Sequence, residues 1–390
     1  MEFLQIWLKS KILTNNMKIL FAVRSLNIGG TERQIISMSN MLINYGHEVD
    51  IARIYPNGDL EKYTKANLHT LSKNIFFRAI DFHRLYRHKN YDVAYSFLPN
   101  MNIFSLLISK LFKKSKRPKI VWGIRSSYLD PKDYSIKVNL VYKLEKMLSG
   151  LPDLIITNSD AALNEYKKYG FPRKKIFSIP NIIDHDHFKN LSSKKTVYKE
   201  FGISNNMKLI GIFARIHPMK DHMNILQAIK IINETSKKYQ NKIYLICVGG
   251  IAQKEEKNNY YKNLLKLSNQ NIKWLGSRED IPKLMSACDL NVLCSDSGEG
   301  FPNSVAESMS CETPIIATNI GDSKKIINNY GKIVPVKDSL SLANSIIEIL
   351  EMDKIMLENI SIEARKSIIN RFSEKIIYKK FMNIITKNTN

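Results

Sequence analysis

Short apolar, β-branched runs alternate with longer amphipathic stretches along most of the chain. The first run, Lys18 to Val23, leads through a glycine-containing loop into Thr31 to Tyr45, where Ile35, Met38 and Leu42 recur on one helical face. Gly46 stands where a helix-ending glycine belongs. The same reading predicts strands at Glu48–Ile54, Asp92–Phe97, Ile120–Arg125, Leu154–Asn158 and Ile176–Ile179. A second series is predicted at Lys208–Ala214, Ile243–Val248, Ile272–Leu275, Leu290–Cys294, Ile315–Thr318 and Lys332–Val334, with helices at Asp221–Ile232 and Ile281–Ala287 among them. Strands that alternate with helices in this way belong to parallel sheets covered on both faces. The expectation is an α/β chain with two doubly wound domains facing each other across a cleft. In such sheets ligands bind beyond the carboxyl ends of the strands.

The stretch from Asn181 to Ser204 is polar, Lys-rich and without clear period, and is the expected linker. The predicted organisation is an extension over 1–16, a first domain over 17–190, a second over 191–370, and a C-terminal helix over 371–390 that packs back on the first domain. A break near Arg371–Ser373 separates that helix from the pattern before it. The residues before Met17 lack the apolar core and small-residue cleavage site of a secretory signal.

Composition narrows the function. With 390 residues, 44% of them hydrophobic, the chain is long enough for two cores. No uncharged apolar run reaches the roughly 18–20 residues of a membrane-spanning helix, which argues against an integral membrane protein. Lys and Arg total 59 against 36 Asp and Glu, a net charge of +23. That field favours anionic partners, although a Lys-rich proteome raises the same number. Clustered base-stacking aromatics and nucleic-acid reading modules are both missing from the sequence, so nucleic acid is not expected as the partner. The four cysteines form no C-x-x-C or zinc-like cluster and suit a reducing cytoplasm.

Three segments carry candidate chemistry. Ser297 to Glu307 follows a buried run and leads into a helix, with Glu299 and Glu307 on either side of the helix start and Asn303 or Ser304 placed to cap it. A helix N-terminus there suits a diphosphate, and Glu307, one turn inside, suits a ribose diol. In Gly211 to Asp221, Arg215 and Lys220 reach the carboxyl edge of the second sheet, where two cations would neutralise a departing diphosphate. Asn27-Ile28-Gly29-Gly30-Thr31-Glu32 joins the first strand to the first helix and lets backbone approach a phosphate; it is neither a G-x-G-x-x-G fingerprint nor a P-loop. Each segment alone also fits an ordinary loop with surface charges.

Together the segments resemble the family 4 retaining glycosyltransferases, which have the GT-B fold of two Rossmann-like domains. The resemblance runs from Met17 through Gly46-His47-Glu48-Val49, Asn158-Ser159, Ile179-Pro180-Asn181, Asp184 and Leu275-Gly276 as well. It implies that Gly30 approaches the donor diphosphate, that Arg215 and Lys220 bind it from the other side, and that Glu307 holds the ribose. It implies that Glu299 contacts the donor sugar and that the backbone of Gly300, Phe301, Pro302, Asn303, Ser304 and Val305 lines sugar and phosphate. The nucleobase is expected near Gly276, Ser277 and Arg278, and Arg125 is expected to contact donor or acceptor. The implied reaction is retaining hexosyl transfer from a nucleotide sugar, UDP-linked in preference to GDP-linked, to a glycan, with no cofactor and no metal. The implied acceptor is a lipid-linked glycan of capsule or O-antigen type, met by a cytoplasmic enzyme peripheral on the inner face of the cell membrane. A GT-B nucleotide-sugar epimerase and a non-catalytic sugar-nucleotide-binding subunit are the alternatives.

Departures from the family pattern fall at Asn181-Ile182, Gly321-Asp322, Glu312 before Thr313-Pro314, and Ser96 to Asn100, where a cleft histidine is frequent. Asp184-His185-Asp186-His187 resembles a metal cluster, but consecutive residues do not all converge on one ion. His217 and His222 are expected on a loop and a helix surface. Met101 to Ile120 holds Lys110, Lys113, Lys114, Lys116, Arg117 and Lys119 without an acid, beside Phe104, Leu106, Leu107, Ile108, Leu111 and Phe112. That segment suits either an anionic membrane surface or a buried helix with a solvated basic end.

Overall fold

The computed structural model describes residues 16–113, 117–125, 135–251 and 255–387, without the side chains of 255–258. The predicted N-terminal extension, Lys114 and Lys116 therefore lie outside the described residues, apart from Asn16. The strands are β1 Lys18–Val23, β2 Glu48–Arg53, β3 Asn67–Thr70, β4 Val93–Phe97, β5 Lys119–Ile124, β6 Leu154–Thr157, β7 Ile176–Ser178, β8 Lys208–Phe213, β9 Ile243–Val248, β10 Ile272–Gly276, β11 Leu290–Leu293, β12 Ile315–Thr318 and β13 Lys332–Val334. The first seven form one sheet in the order β3-β2-β1-β4-β5-β6-β7, and the other six form a second in the order β10-β9-β8-β11-β12-β13. All pairings are parallel. The chain is thus an α/β protein of two Rossmann-like domains, as the alternation of runs predicts.

In each sheet the strand order reverses beside the first strand, between β1 and β4 and between β8 and β11. The loops that leave those strands diverge, and the crevice between them is the natural ligand position. One face of the first sheet packs Phe21, Tyr95 and Phe97 with Ile35, Met41 and Leu42 of the helix Gly30–Asn44. The opposite face packs Trp122 and Ile155 with Phe82 of the helix Ile75–Lys89 and Leu106 of the helix Pro99–Ser109.

The last helix, Glu374–Lys387, lies on the first sheet although it follows the second in sequence. Its Ile377, Tyr378, Phe381 and Ile385 join the core beside Phe21 and Tyr95. Burying an apolar side chain of this size contributes about 2 kcal/mol before conformational entropy is counted. Tyr378 also stacks on Tyr45 with ring centroids 3.8 Å apart. The preceding helix, Lys354–Phe372, places Ala364, Ile368 and Phe372 in the second domain. The chain therefore crosses between domains twice, and Ile183 N–H donates to the Phe372 carbonyl at 3.0 Å where the crossings meet.

Two elements depart from the sequence reading. β3 was not expected, because Asn67-Leu68-His69-Thr70 carries one apolar residue and lies at the sheet edge. The Lys-rich stretch assigned to the linker contains the helix Lys194–Phe201, whose buried Val197 and Tyr198 belong to the second domain. The Met101–Ile120 segment is also less simple than predicted. Leu106 and Ile108 are buried, Leu107 and Leu111 are exposed, Arg117 pairs with Asp153, and Lys119 donates to the Ile385 carbonyl. Among the described residues no helix is long and apolar enough to cross a membrane.

Candidate active site

The loops after β8 and β11 meet where the second sheet reverses. Arg215 is exposed and, among the described residues, has no side-chain hydrogen bond or ion pair. The turn Pro218–Lys220 follows, and His217 Nδ1 caps it by accepting from Met219 N–H at 3.1 Å. Lys220 Nζ donates to Glu299 Oε1, which also accepts from Ser295 Oγ at 2.7 Å. The side chains of Lys220 and Glu299 are only 20% and 11% exposed, so their attraction is less screened than that of a surface pair.

Backbone contacts hold the two loops together. Asp296 N–H donates to the Met219 carbonyl at 3.0 Å. Gly298 has φ +75°, a left-handed conformation that glycine adopts without strain, and Met219 lies over it. The helix Asn303–Ser310 begins after Pro302 with no side-chain cap. Val305 N–H donates to the Pro302 carbonyl at 3.2 Å, which leaves the Asn303 and Ser304 N–H groups and the helix dipole for an anion. The expected capping by Asn303 or Ser304 is not seen: the Asn303 side chain is used elsewhere, and Ser304 makes no capping bond.

Asn303 Oδ1 accepts from Asn181 Nδ2 at 2.9 Å, and Asn181 Oδ1 accepts from Arg125 Nη1 at 3.1 Å. Arg125 also lies over the Phe97 ring, 5.2 Å from its centroid. This relay runs from the end of β5, through the crossing segment, to the N-terminus of the second domain's helix. A Cβ on Gly30 would be 3.7 Å from Asn303 Nδ2, so the glycine loop of the first domain faces the same helix start. Gly29 serves a different end: Glu32 folds back over it, and burial raises that carboxyl while Arg215 draws it down.

The remaining predicted residues divide by what their side chains touch. Phe301 and Val305 point into the core, Phe301 edge-on to Phe372, and Pro302 is buried. Only their backbone is available to a ligand. Gly300 abuts the first domain, since a Cβ there would stand 2.7 Å from Asn158 Oδ1. Glu307 is half-buried with its carboxyl pushed up to about 7 by desolvation, opposed by Arg33 of the first domain. Gly276 ends β10 and Ser277 follows it, but the Arg278 guanidinium is held by Asp280 and Glu200.

His222 corrects the expectation of a surface role: it is fully buried, 5.6 Å from the Trp274 ring, and burial lowers its pKa to about 4. In the Asp-His-Asp-His run, Asp184 Oδ1 accepts from Asp186 and His187 N–H and so closes a turn. Among the described residues no cluster of His, Cys, Asp or Glu has the arrangement to hold a metal ion. Sequence reasoning passed over Asp322, whose carboxylate accepts from Asp160 and Ala161 N–H across the domain boundary. The only signal for it was its place in a departure from the family pattern.

Arg215, the Lys220–Glu299 pair and the uncapped helix start at Asn303 thus gather beside the glycine loop of the first domain, where two Rossmann-like domains meet. Residues 28–187 match the family model described as Glycosyltransferase Family 4, and residues 193–367 match Glycosyl transferases group 1. The chain belongs to the family 4 glycosyltransferases of GT-B fold. It is 26% identical, over 75% of each chain, to the UDP-Gal:alpha-D-GlcNAc-diphosphoundecaprenol alpha-1,3-galactosyltransferase of Escherichia coli. It is 25% identical to the N,N'-diacetylbacillosaminyl-diphospho-undecaprenol alpha-1,3-N-acetylgalactosaminyltransferase of Campylobacter jejuni, over 83% of this chain and 84% of that one. The fold matches Anabaena HepE in complex with UDP with a TM-score of 0.80, at 22% identity over 95% of this chain and 100% of that chain.

Proposed function

We propose that this glycosyltransferase moves a sugar from a UDP-sugar to a lipid-linked glycan, with retention of anomeric configuration, at the inner face of the cell membrane. The observation that carries the reading is the Lys220–Glu299 pair beside Arg215, set against the uncapped helix at Asn303 and the loop at Gly30. The relatives that act on diphospho-undecaprenol-linked sugars support the acceptor class and a role in cell-surface polysaccharide synthesis.

In the proposed step the acceptor hydroxyl oxygen bonds to the sugar's anomeric carbon as the bond from that carbon to the diphosphate oxygen breaks. The acceptor's proton passes to the departing phosphate. Arg215, Lys220 and the first-turn N–H groups of the helix Asn303–Ser310 stabilise the growing negative charge. With two cations already there, the reading assigns no role to a divalent metal. Glu299, oriented by Lys220 and Ser295, accepts from sugar hydroxyls, and Glu307 accepts from the ribose. GDP-sugars remain the second donor class.

A thermal-shift titration with UDP, GDP and ADP in the presence of EDTA tests the donor. Stabilisation by UDP is expected; stabilisation by none of the three would overturn the donor assignment. Proton NMR of the product from a lipid-linked acceptor should show the donor's anomeric configuration, and an inverted product would refute the retaining step.

A further inference from the structure

Arg125, Asn181 and Asn303 form a line in which every hydrogen-bonding direction is forced. A guanidinium carries donors only, so the Asn181 amide turns its oxygen to Arg125, and Arg125 Nη1 donates to Asn181 Oδ1 at 3.1 Å. That leaves Asn181 Nδ2 for the other side, where it donates to Asn303 Oδ1 at 2.9 Å. With its oxygen taken, Asn303 points Nδ2 away from Asn181. This nitrogen lies 3.7 Å from where a Cβ on Gly30 would stand, toward the glycine loop of the first domain. Among the described residues it has no hydrogen-bond partner.

The line is held from behind. Asn181 is 4% exposed, and Arg125 lies over the Phe97 ring, 5.2 Å from its centroid. Turning the buried Asn181 amide over would set its N–H groups against the guanidinium and its oxygen against the oxygen of Asn303. One orientation is therefore fixed. The Asn303 amide N–H groups face the space between the uncapped helix start and Gly30, where the donor diphosphate is assigned.

We propose that the Asn303 side chain is a further hydrogen-bond donor to the diphosphate of the nucleotide sugar, and that Arg125 and Asn181 are positioning residues that aim it. This contact rests on the diphosphate reading of the cleft and adds a side chain to the backbone groups assigned there. It also changes the part expected of Arg125, whose charge acts on the ligand through two amides and not by touching it. Hydrogen bonds in series polarise one another, so the cation at the far end makes the Asn303 N–H groups better donors to an anion. Negative charge that builds on the departing diphosphate then meets a donor already oriented toward it.

Calorimetry with UDP and with uridine tests the contact. Asn303→Asp keeps the oxygen that Asn181 bonds and replaces the donor with a charged oxygen. It should lose UDP affinity by about tenfold or more and keep wild-type affinity for uridine, which lacks the diphosphate. An acid suits the first turn of a helix, so the urea midpoint should not fall. Asn303→Ala should lose less, because it adds no repulsion. Arg125→Met should also weaken UDP binding, and Arg125→Lys, which keeps a donor, should restore most of the loss. In the Asn303→Ala background, Arg125→Met should cause no further loss. Additive losses would show that Arg125 touches the ligand itself and would overturn the relay. Wild-type UDP affinity in Asn303→Asp, or an equal loss for uridine, would overturn the Asn303 contact and leave the diphosphate reading in place. A wild-type chain that binds UDP no better than uridine would sink both.

Discussion

The carboxylate of Asp322 crosses the domain boundary to cap the helix that begins at Asp160. Its Oδ2 accepts from Asp160 N–H and its Oδ1 from Ala161 N–H, each at 2.9 Å. Lys325 pairs with the Asp160 carboxylate, and Asp322 N–H donates to the Gly300 carbonyl at 2.9 Å. One residue thus ties the loop that carries Glu299 to the opposite domain. An anion at a helix N-terminus, hydrogen-bonded to two N–H groups, contributes on the order of 1–2 kcal/mol. Asp322→Ala should therefore lower stability to urea by about that amount. It should also raise KM for the nucleotide sugar more than it lowers kcat, and small-angle scattering should show a larger radius of gyration. Unchanged scattering and KM would mean that the cap does not hold the domains together.

Arg215 and Lys220 both serve the proposed diphosphate site, yet their removal should read differently. Arg215 is exposed and unbonded among the described residues, so Arg215→Ala should leave the urea midpoint unchanged while lowering kcat by about a hundredfold or more. Lys220→Ala takes the cation from beside a carboxylate whose side chain is 11% exposed, and should cost about 1–3 kcal/mol of stability as well as activity. Equal stability losses in the two variants would refute this division.

What the sequence shows and hides follows from range. β1, β9 and β12 are legible because buried parallel strands are nearly continuous apolar runs. β3 is not legible, because an exposed edge strand of Asn, Leu, His and Thr has no such run. The helix Lys194–Phe201 hides behind its lysines, with only Val197 and Tyr198 buried. In the site, Arg215, Lys220, Glu299 and Glu307 are marked by their places at strand ends and a helix start. The Asn181–Asn303 and Asp322–Asp160 contacts join residues more than a hundred positions apart, and no local spacing encodes them.

Glu307 should make both stability and nucleotide binding depend on pH. Burial raises its carboxyl from 4.5 to about 7 in the folded chain. Between those values the folded state holds more protons than the unfolded state, so this group's effect lowers stability as pH rises through the window. Glu145, raised to about 7 by burial, acts with the same sign. Glu307→Gln should flatten the decline between pH 5 and 7 and leave the chain more stable than wild type at pH 8. The proposed ribose contact needs the carboxylate, so wild-type affinity for a UDP-sugar should rise from pH 6 to 8. The diphosphate diester does not titrate there. Glu307→Gln should remove that rise and weaken binding about tenfold, as judged by calorimetry. A variant with wild-type affinity and the same pH slope would remove Glu307 from the ribose site.

Glu312 stands in the left-handed region with φ +58°, at the turn between the helix Asn303–Ser310 and β12, where the family usually has glycine. A non-glycine residue there costs about 1–2 kcal/mol. Asn190 donates to Glu312 Oε2 at 3.2 Å, and Arg365 Nε lies 3.8 Å from Oε1. Those partly exposed contacts offset some of the strain, by about 1 kcal/mol at most. Glu312→Gly relieves the strain but loses the contacts and makes the unfolded chain more flexible, so its stability should stay close to wild type. Glu312→Ala keeps the strain and loses the contacts, and should be less stable by about 1 kcal/mol. Urea unfolding of the three chains should therefore rank alanine last, with glycine and wild type together. An alanine variant as stable as the glycine variant would show that the backbone at this turn is not strained.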